Sequence, residues 1–172
     1  MGSKLERASI YLDRKESLFE LENQVSKEQL ILCDSMQNTF LILNYNNGQN
    51  KIGIAYYDYG VELDFQYSKD ETLLYVGVGE NLLVISIFEG KLIFNHRLQS
   101  VFYELICDTN KNYICAICEL DVYCYCGKSQ KWKMGFRDII NSYNIIDNMN
   151  VLIACNDGME YSFSLEDGKM II

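Results

Sequence analysis

Four cysteines in the second half of the chain have the residue type, and nearly the spacing, that could hold a zinc ion. Cys115 and Cys118 form a Cys-x-x-Cys pair, and Cys124 and Cys126 follow close behind. Thiolates in two such pairs are common zinc ligands. The two residues inside the first pair are strand formers, however, and alternation along a strand places Cys115 and Cys118 on opposite faces. We therefore expect these cysteines to be small buried side chains and predict no metal site.

The single histidine, His96, limits the catalytic arrangements open to this chain. A Ser-His-Asp or Cys-His arrangement would have to use this imidazole, which lies in a segment typical of a strand edge. The pair Gly77 and Gly79 could begin a dinucleotide-binding fingerprint, but Leu82 occupies the position of the third glycine, so we interpret the pair as part of a hairpin. We expect His96 at a surface or an interface, and we predict no catalytic residues, no cofactor and no enzymatic activity.

A tyrosine-rich, acidic stretch, residues 56–64, is the feature most typical of a binding surface. Tyrosine provides a large, rigid contact area with a hydrogen-bonding tip, and carboxylates beside it suit a basic partner. An equally open alternative is that half of these rings cover the core. The candidate partner-binding residues are Tyr56, Tyr57, Asp58, Tyr59, Glu62 and Asp64.

The composition is that of a folded, acidic protein. Its 172 residues, 49% hydrophobic and 23% charged, are enough for a single domain with a core. The net charge of -9 repels phosphate backbones and anionic lipid, which argues against nucleic-acid and membrane-surface binding. The seven cysteines, an odd number mostly inside apolar runs, and the lack of a long apolar segment predict a cytoplasmic protein with free thiols.

The hydrophobic pattern has a period of two and predicts strands almost throughout the chain. Short apolar runs are separated by turn signals such as Asn46-Asn47-Gly48, Asp157-Gly158 and Asp167-Gly168. A short helix is left open within residues 12–28, where lysine and glutamate are frequent.

The predicted strands fall into repeats of about 37 residues. The segment 32–41 resembles the segment 106–115, and similar patterns begin near Gln66 and near Ile145. Each unit contains a strand, a polar turn, two further strands and a final strand after a glycine-containing turn. The approximate units are 26–60, 61–99, 100–138 and 139–172, and an N-terminal segment, 8–23, would complete the last unit.

This pattern resembles the blades of a β-propeller, in the manner of quinoprotein-like or WD-type repeats. The resemblance rests on repeat length and turn placement, since the Trp-Asp and Gly-His signatures are missing and Trp132 is the single tryptophan. It implies an all-β fold of antiparallel four-stranded repeats that form a small β-propeller of about four blades or an open one. A β-sandwich or irregular barrel built from the same strands is the alternative.

The profile of a small, acidic chain with few catalytic residue types is also similar to that of bacterial toxin-immunity proteins. That resemblance implies a protein-binding module that neutralises a cognate toxin, a basic nuclease domain, by covering its phosphate-binding cations with carboxylates. A WD-like scaffold subunit that binds a peptide or a complex is the first alternative. A propeller enzyme that binds a small ligand or a metal is the second. The oligomeric state is left open.

Overall fold

The computed structural model describes residues 10–46 and 48–171, and this part of the chain is mostly strand. It contains one α-helix, α1 (Leu18–Gln24), within the segment left open for a helix, and a 3₁₀ helix (Lys27–Gln29). Neither is long and apolar enough to cross a membrane. The strands are β1 (Tyr11–Lys15), β2 (Leu30–Leu32), β3 (Thr39–Tyr45), β4 (Asn50–Tyr56), β5 (Asp64–Tyr67), β6 (Leu73–Val78), β7 (Asn81–Ser86), β8 (Lys91–Arg97), β9 (Phe102–Cys107), β10 (Ile114–Cys118), β11 (Asp121–Cys126), β12 (Ser129–Gly135), β13 (Ile140–Ile146), β14 (Asn150–Cys155), β15 (Glu160–Ser164) and β16 (Met170–Ile171).

Within the described ranges these strands form four four-stranded sheets, which confirms the predicted all-β fold of antiparallel repeats. The second sheet has the order β5-β6-β7-β8, the third β9-β10-β11-β12 and the fourth β13-β14-β15-β16. The first sheet has the order β1-β3-β4-β2, and its β2 runs parallel to β4. The last three sheets span residues 64–97, 102–135 and 140–171, each inside one of the predicted units.

The N-terminal strand joins the first sheet. β1 pairs with β3 over its whole length, so the backbone groups on one edge of β1 are satisfied there. The fourth sheet ends in a strand of its own, because β16 pairs with β15. The prediction that residues 8–23 complete the last unit is therefore wrong for β1. Residues 8 and 9 of that segment lie outside the described residues.

The chain divides into two compact units. The first runs up to Asp58 and includes Ser86–Leu92, at the turn between β7 and β8. The second comprises Tyr59–Ile85 and the chain from Ile93 onward. The single domain expected from the length remains a prediction.

In the first unit, helix α1 covers one face of the first sheet. Ser17 caps the helix, since its hydroxyl oxygen accepts a hydrogen bond of 3.3 Å from the Glu20 amide. Leu21 and Val25 are buried in the cluster that the helix forms with the sheet. Gly53 of β4 permits the close approach, because a Cβ atom there would lie 2.8 Å from Val25 Cγ2. The helix thus removes this face of the sheet from water.

In the second unit, the third sheet is buried on both faces. Alternate residues of β10 point to opposite sides: Ile114, Ala116 and Cys118 lie in a core with residues of the second sheet. Cys115 and Ile117 lie in another core with residues of the fourth sheet. The continuous apolar run of β10 follows from this stacking, because both faces of the strand are removed from water.

The second and third sheets are in close contact at Gly77 of β6. A Cβ atom at this position would lie 2.1 Å from Phe102 Cζ, so only glycine leaves room for the ring. Gly79 begins the turn between β6 and β7 with a φ of 55°. The glycine pair therefore belongs to a hairpin, as predicted from the sequence.

Candidate functional site

The first half of the tyrosine-rich stretch lies in the first unit. Tyr56 ends β4 and is 1% exposed; burial raises the pKa of its phenol, and the Asp58 carboxylate adds to the effect. Tyr57 is 36% exposed. Side chains of the loop between β2 and β3 hold this backbone. The Tyr57 amide donates to Asp34 Oδ2 at 3.0 Å, and the Asp58 amide donates to Asn38 Oδ1 at 2.7 Å.

The second half of the stretch lies in the second unit, and its residues have different roles. Tyr59 is 45% exposed, and Glu62 is exposed. Asp64 is half-buried at the start of β5. Its carboxylate accepts hydrogen bonds from the Phe65 amide at 2.8 Å and from the Leu105 amide at 2.9 Å. Because Leu105 belongs to β9, Asp64 links the first strands of the second and third sheets.

The structure thus separates the predicted residues into two kinds. Tyr56 is a core residue and offers no ring surface to a partner, which corrects its place among the contact candidates. Asp64 is a hydrogen-bonding residue of the fold, with a carboxylate that is still partly exposed. Partner contact remains a prediction for Tyr57, Asp58, Tyr59, Glu62 and Asp64.

His96 lies half-buried on β8, against tyrosines of β11. Its Nδ1 atom shares a hydrogen bond with the Tyr125 hydroxyl, and its ring packs edge-on against Tyr123 with 5.1 Å between the ring centroids. Burial lowers the pKa of His96, and the Lys133 ammonium lowers it further, so the ring is neutral at pH 7. The imidazole therefore lies between the second and third sheets and is held there by aromatic contacts.

The rings around this histidine form a connected cluster. Tyr125 stacks with Phe94, with 6.3 Å between the centroids, and lies 6.4 Å from the Tyr75 ring. The Tyr75 hydroxyl donates to the Gly127 carbonyl, in the turn between β11 and β12. Burial raises the pKa of both Tyr75 and Tyr125. The cluster therefore consists of neutral rings in fixed positions.

A shallow groove of about 410 Å³ lies beside this cluster, and we call it the β8 groove. It is lined by Phe94, Asn95, His96 and Arg97 of β8 and by Tyr125, Lys128 and Gln130 of the β11–β12 hairpin. The Arg97 guanidinium forms an ion pair with the Glu80 carboxylate, and Lys128 is exposed. No pattern in the sequence alone indicates this groove. The aromatic residues that alternate along β8 and β11 are visible in the sequence, but the sequence does not show that these two strands lie next to each other.

The cysteine group does not converge. Cys115 lies opposite Cys124 in the β10–β11 pair, whereas Cys118 faces the other core, which confirms the predicted placement of Cys115 and Cys118 on opposite faces. A hydrogen bond with Cys124, together with burial, raises the pKa of Cys115, and burial raises the pKa of Cys118. Cys126 is exposed. Across residues 10–46 and 48–171, no three His, Cys, Asp or Glu side chains are grouped so that they could hold a metal ion.

No protein-family profile matches this chain, and no curated protein matches it in sequence. Solved structures do match it in fold. The crystal structure of the computationally designed Ika4 protein aligns with a TM-score of 0.52 and 16% identity, over 66% of this chain and 72% of that one. The WD40 repeats of RRP9 align with a TM-score of 0.52 and 7% identity, over 66% of this chain and 38% of that one.

The β-propeller domain of Cps50 (Swd1) from Myceliophteria thermophila is a further match. It aligns with a TM-score of 0.52 and 10% identity, over 80% of this chain and 54% of that one. The chain thus spans 72% of the designed protein but only 38% and 54% of the two others. At such identities the likeness shows the fold alone. This chain has a small propeller-like fold of four-stranded sheets, which confirms the resemblance to β-propeller repeats.

Proposed function

We propose that this protein is a non-enzymatic protein-binding module. The observation that carries the proposal is the exposure of an aromatic ring next to carboxylates in the segment before β5. Tyr59 is 45% exposed and Glu62 is exposed, while Asp64 fixes the following strand through the Leu105 amide. A rigid ring and a charge presented beside an ordered strand are typical of the central contacts of protein interfaces.

The proposed partner is a basic protein surface. The chain has 24 acidic and 15 basic side chains, and its net charge of -9 favours encounter with a positively charged surface. In its most specific form the proposal is an immunity protein that binds and neutralises a cognate toxin. The toxin would be a nuclease domain, because the cations that bind phosphate in such a domain are complementary to exposed carboxylates. The charge and small size of the chain support this form.

Co-expression with the product of the adjacent reading frame tests the proposal. An immunity protein should co-purify with that neighbour and should rescue cells from its toxicity. The double variant Tyr59→Ser, Glu62→Lys should weaken binding about tenfold or more, because it removes an interface ring and reverses a charge. The matched control is Tyr11→Ser, Glu160→Lys, which changes an exposed tyrosine and an exposed glutamate elsewhere.

The immunity proposal is overturned if the product of the adjacent reading frame is neither bound nor neutralised. If the control variant loses as much affinity as the Tyr59 variant, the assignment of the contact to Tyr59 and Glu62 is overturned. Stable capture of other proteins would favour the second candidate, a WD-like scaffold subunit that binds a peptide or a complex. The propeller-like fold and the preformed β8 groove support that candidate.

A further inference from the structure

We propose that the β8 groove binds an extended, acidic segment of a partner protein, which adds as a strand to the outer edge of β8. This site is separate from the tyrosine-rich stretch and does not depend on the Tyr59 and Glu62 contacts; it specifies the ligand of the second candidate function, a module that binds a peptide.

The position of β8 in its sheet supports strand addition. β8 is the last strand in the order β5-β6-β7-β8, so that within the described residues no strand of the sheet lies on its outer edge. Such an edge presents backbone groups that another chain can pair with. Four successive residues, Phe94 to Arg97, line the groove. Successive side chains of a strand point to opposite faces of the sheet, so a groove on one face would be lined by every second residue. Four consecutive lining residues therefore indicate that the groove runs along the edge of β8.

The charge of the groove supports an acidic occupant. Its lining contains two cations, Arg97 and Lys128, and no carboxylate, although the chain as a whole carries a net charge of -9. The Arg97 guanidinium is paired with the Glu80 carboxylate, so Lys128 supplies most of the positive charge that a ligand would meet, and burial lowers the pKa of His96 and favours its neutral form. A segment with carboxylates is therefore complementary to this groove, and a basic segment is not.

The rings favour an occupant in which acidic residues alternate with apolar ones. The half-buried Phe94 ring stacks at 24° on the ring of Tyr125, which is only 1% exposed, so Phe94 supplies the apolar wall beside the cations. A strand that pairs with β8 presents alternate side chains to this wall and to solvent.

The groove is also preorganised. The hydrogen bond between His96 and Tyr125 joins its two walls, and the bond from the Tyr75 hydroxyl to the Gly127 carbonyl fixes the turn that carries Lys128. A preformed site loses little conformational entropy when a ligand binds, so a short peptide is a sufficient probe.

Selection from a phage-displayed library of random dodecapeptides on the whole chain tests the proposal. Enriched peptides should be rich in Asp and Glu, and their affinity is measured by fluorescence anisotropy with labelled synthetic copies. Lys128→Glu should weaken binding by about fivefold or more, because it places a like charge against the peptide. Lys131→Glu is the matched control: it makes the same change of charge three positions away, outside the lining, and should change affinity less than about twofold.

Strand addition is tested with two N-methylated versions of the best peptide. One version is methylated at the odd-numbered backbone amides and the other at the even-numbered ones. At least one copy should lose most of its binding, since N-methylation removes the amide protons that pair with an edge strand. Failure to enrich any dodecapeptide, enrichment of basic peptides, equal effects of the two lysine variants, or full binding by both methylated copies would each overturn the proposal. None of these results bears on the Tyr59 and Glu62 contacts.

Discussion

The Tyr143 hydroxyl donates a hydrogen bond of 2.6 Å to the Glu104 carboxylate, and this bond joins the first strand of the fourth sheet to the first strand of the third. The Asp64 carboxylate, which accepts from the Leu105 amide, joins the third sheet to the second in a similar way. Carboxylates therefore link the first strands of successive sheets in the second unit. Part of the acidic composition serves the fold and is not available for a partner.

Replacement of Tyr143 by phenylalanine tests the first of these links. Tyr143→Phe removes the donor and should lower the free energy of unfolding by about 1 kcal/mol, the usual net contribution of one such bond. Urea denaturation measures the change. Tyr11→Phe, at an exposed position on β1, is the control and should leave the midpoint unchanged. Equal midpoints for the two variants would show that the link contributes nothing to stability.

Buried phenols predict a loss of stability at alkaline pH. Burial raises the pKa of Tyr45 to about 12 and also raises the pKa of Tyr56, Tyr75 and Tyr125 above the usual 10.0. At a pH below the tyrosine pKa of the unfolded chain, these phenols are protonated in both the folded and the unfolded state, and the free energy of unfolding has its full value. As the pH rises past it, the unfolded chain ionises while the folded chain stays protonated, so the free energy of unfolding falls until the folded pKa is reached.

The measurement for this prediction is a series of urea titrations between about pH 9 and about pH 11.5, with tyrosinate absorbance followed in parallel. The midpoint should fall continuously over this range, and tyrosinate should appear together with unfolding. A constant midpoint, or ionisation of most tyrosines in the folded state, would contradict the prediction.

Replacement of Tyr45 by phenylalanine should stabilise the folded protein. Its ring is fully buried, and its hydroxyl makes no hydrogen bond within the described part of the chain. A buried, unsatisfied hydroxyl is destabilising, so Tyr45→Phe should raise the free energy of unfolding by about 1 kcal/mol. The urea midpoint should therefore rise for Tyr45→Phe and fall for Tyr143→Phe. A destabilised Tyr45→Phe variant would show that the hydroxyl has a partner.

Gly77 should not tolerate a side chain, because a Cβ atom there would lie 2.1 Å from the Phe102 ring. Gly77→Ala should lower the free energy of unfolding by about 3 kcal/mol through overpacking. The double variant Gly77→Ala, Phe102→Leu should recover part of the loss, since the smaller side chain vacates the space. If the second substitution only adds to the damage, the cost of Gly77→Ala does not come from this contact.

The cysteines should differ sharply in reactivity. Cys126 is exposed, whereas Cys115 and Cys118 are buried with raised thiol pKa values and are protonated at pH 7. Brief treatment of the folded protein with iodoacetamide, followed by mass spectrometry, should find Cys126 alkylated and the two buried thiols intact. Treatment in urea is the control and should modify all of them. Early modification of Cys115 in the folded protein would contradict its burial.

Local patterns in the sequence were sufficient to predict the strands, the turns and the repeat. The glycines of the Asp157-Gly158 and Asp167-Gly168 signals have positive φ values of 81° and 68°, because tight turns need the left-handed backbone that glycine adopts readily. The opposite placement of Cys115 and Cys118 also followed from alternation along one strand. Each of these inferences needs only residues that are close in sequence.

Other features depended on which strand or sheet lies next to which. β1 joins the first sheet because it pairs with β3. The residues of β1 alone do not distinguish the edge of the first sheet from the edge of the fourth, which was the predicted partner. The burial of Tyr56 was not predictable from alternation, because Ile52–Tyr56 are buried on both faces of β4. The β8 groove needs β8 and the β11–β12 hairpin to meet. The amino-acid sequence by itself determined the repeat and its turns, since short-range backbone preferences produce them; only the tertiary structure decided the neighbours of each strand, because residues far apart in sequence come together only when the sheets pack.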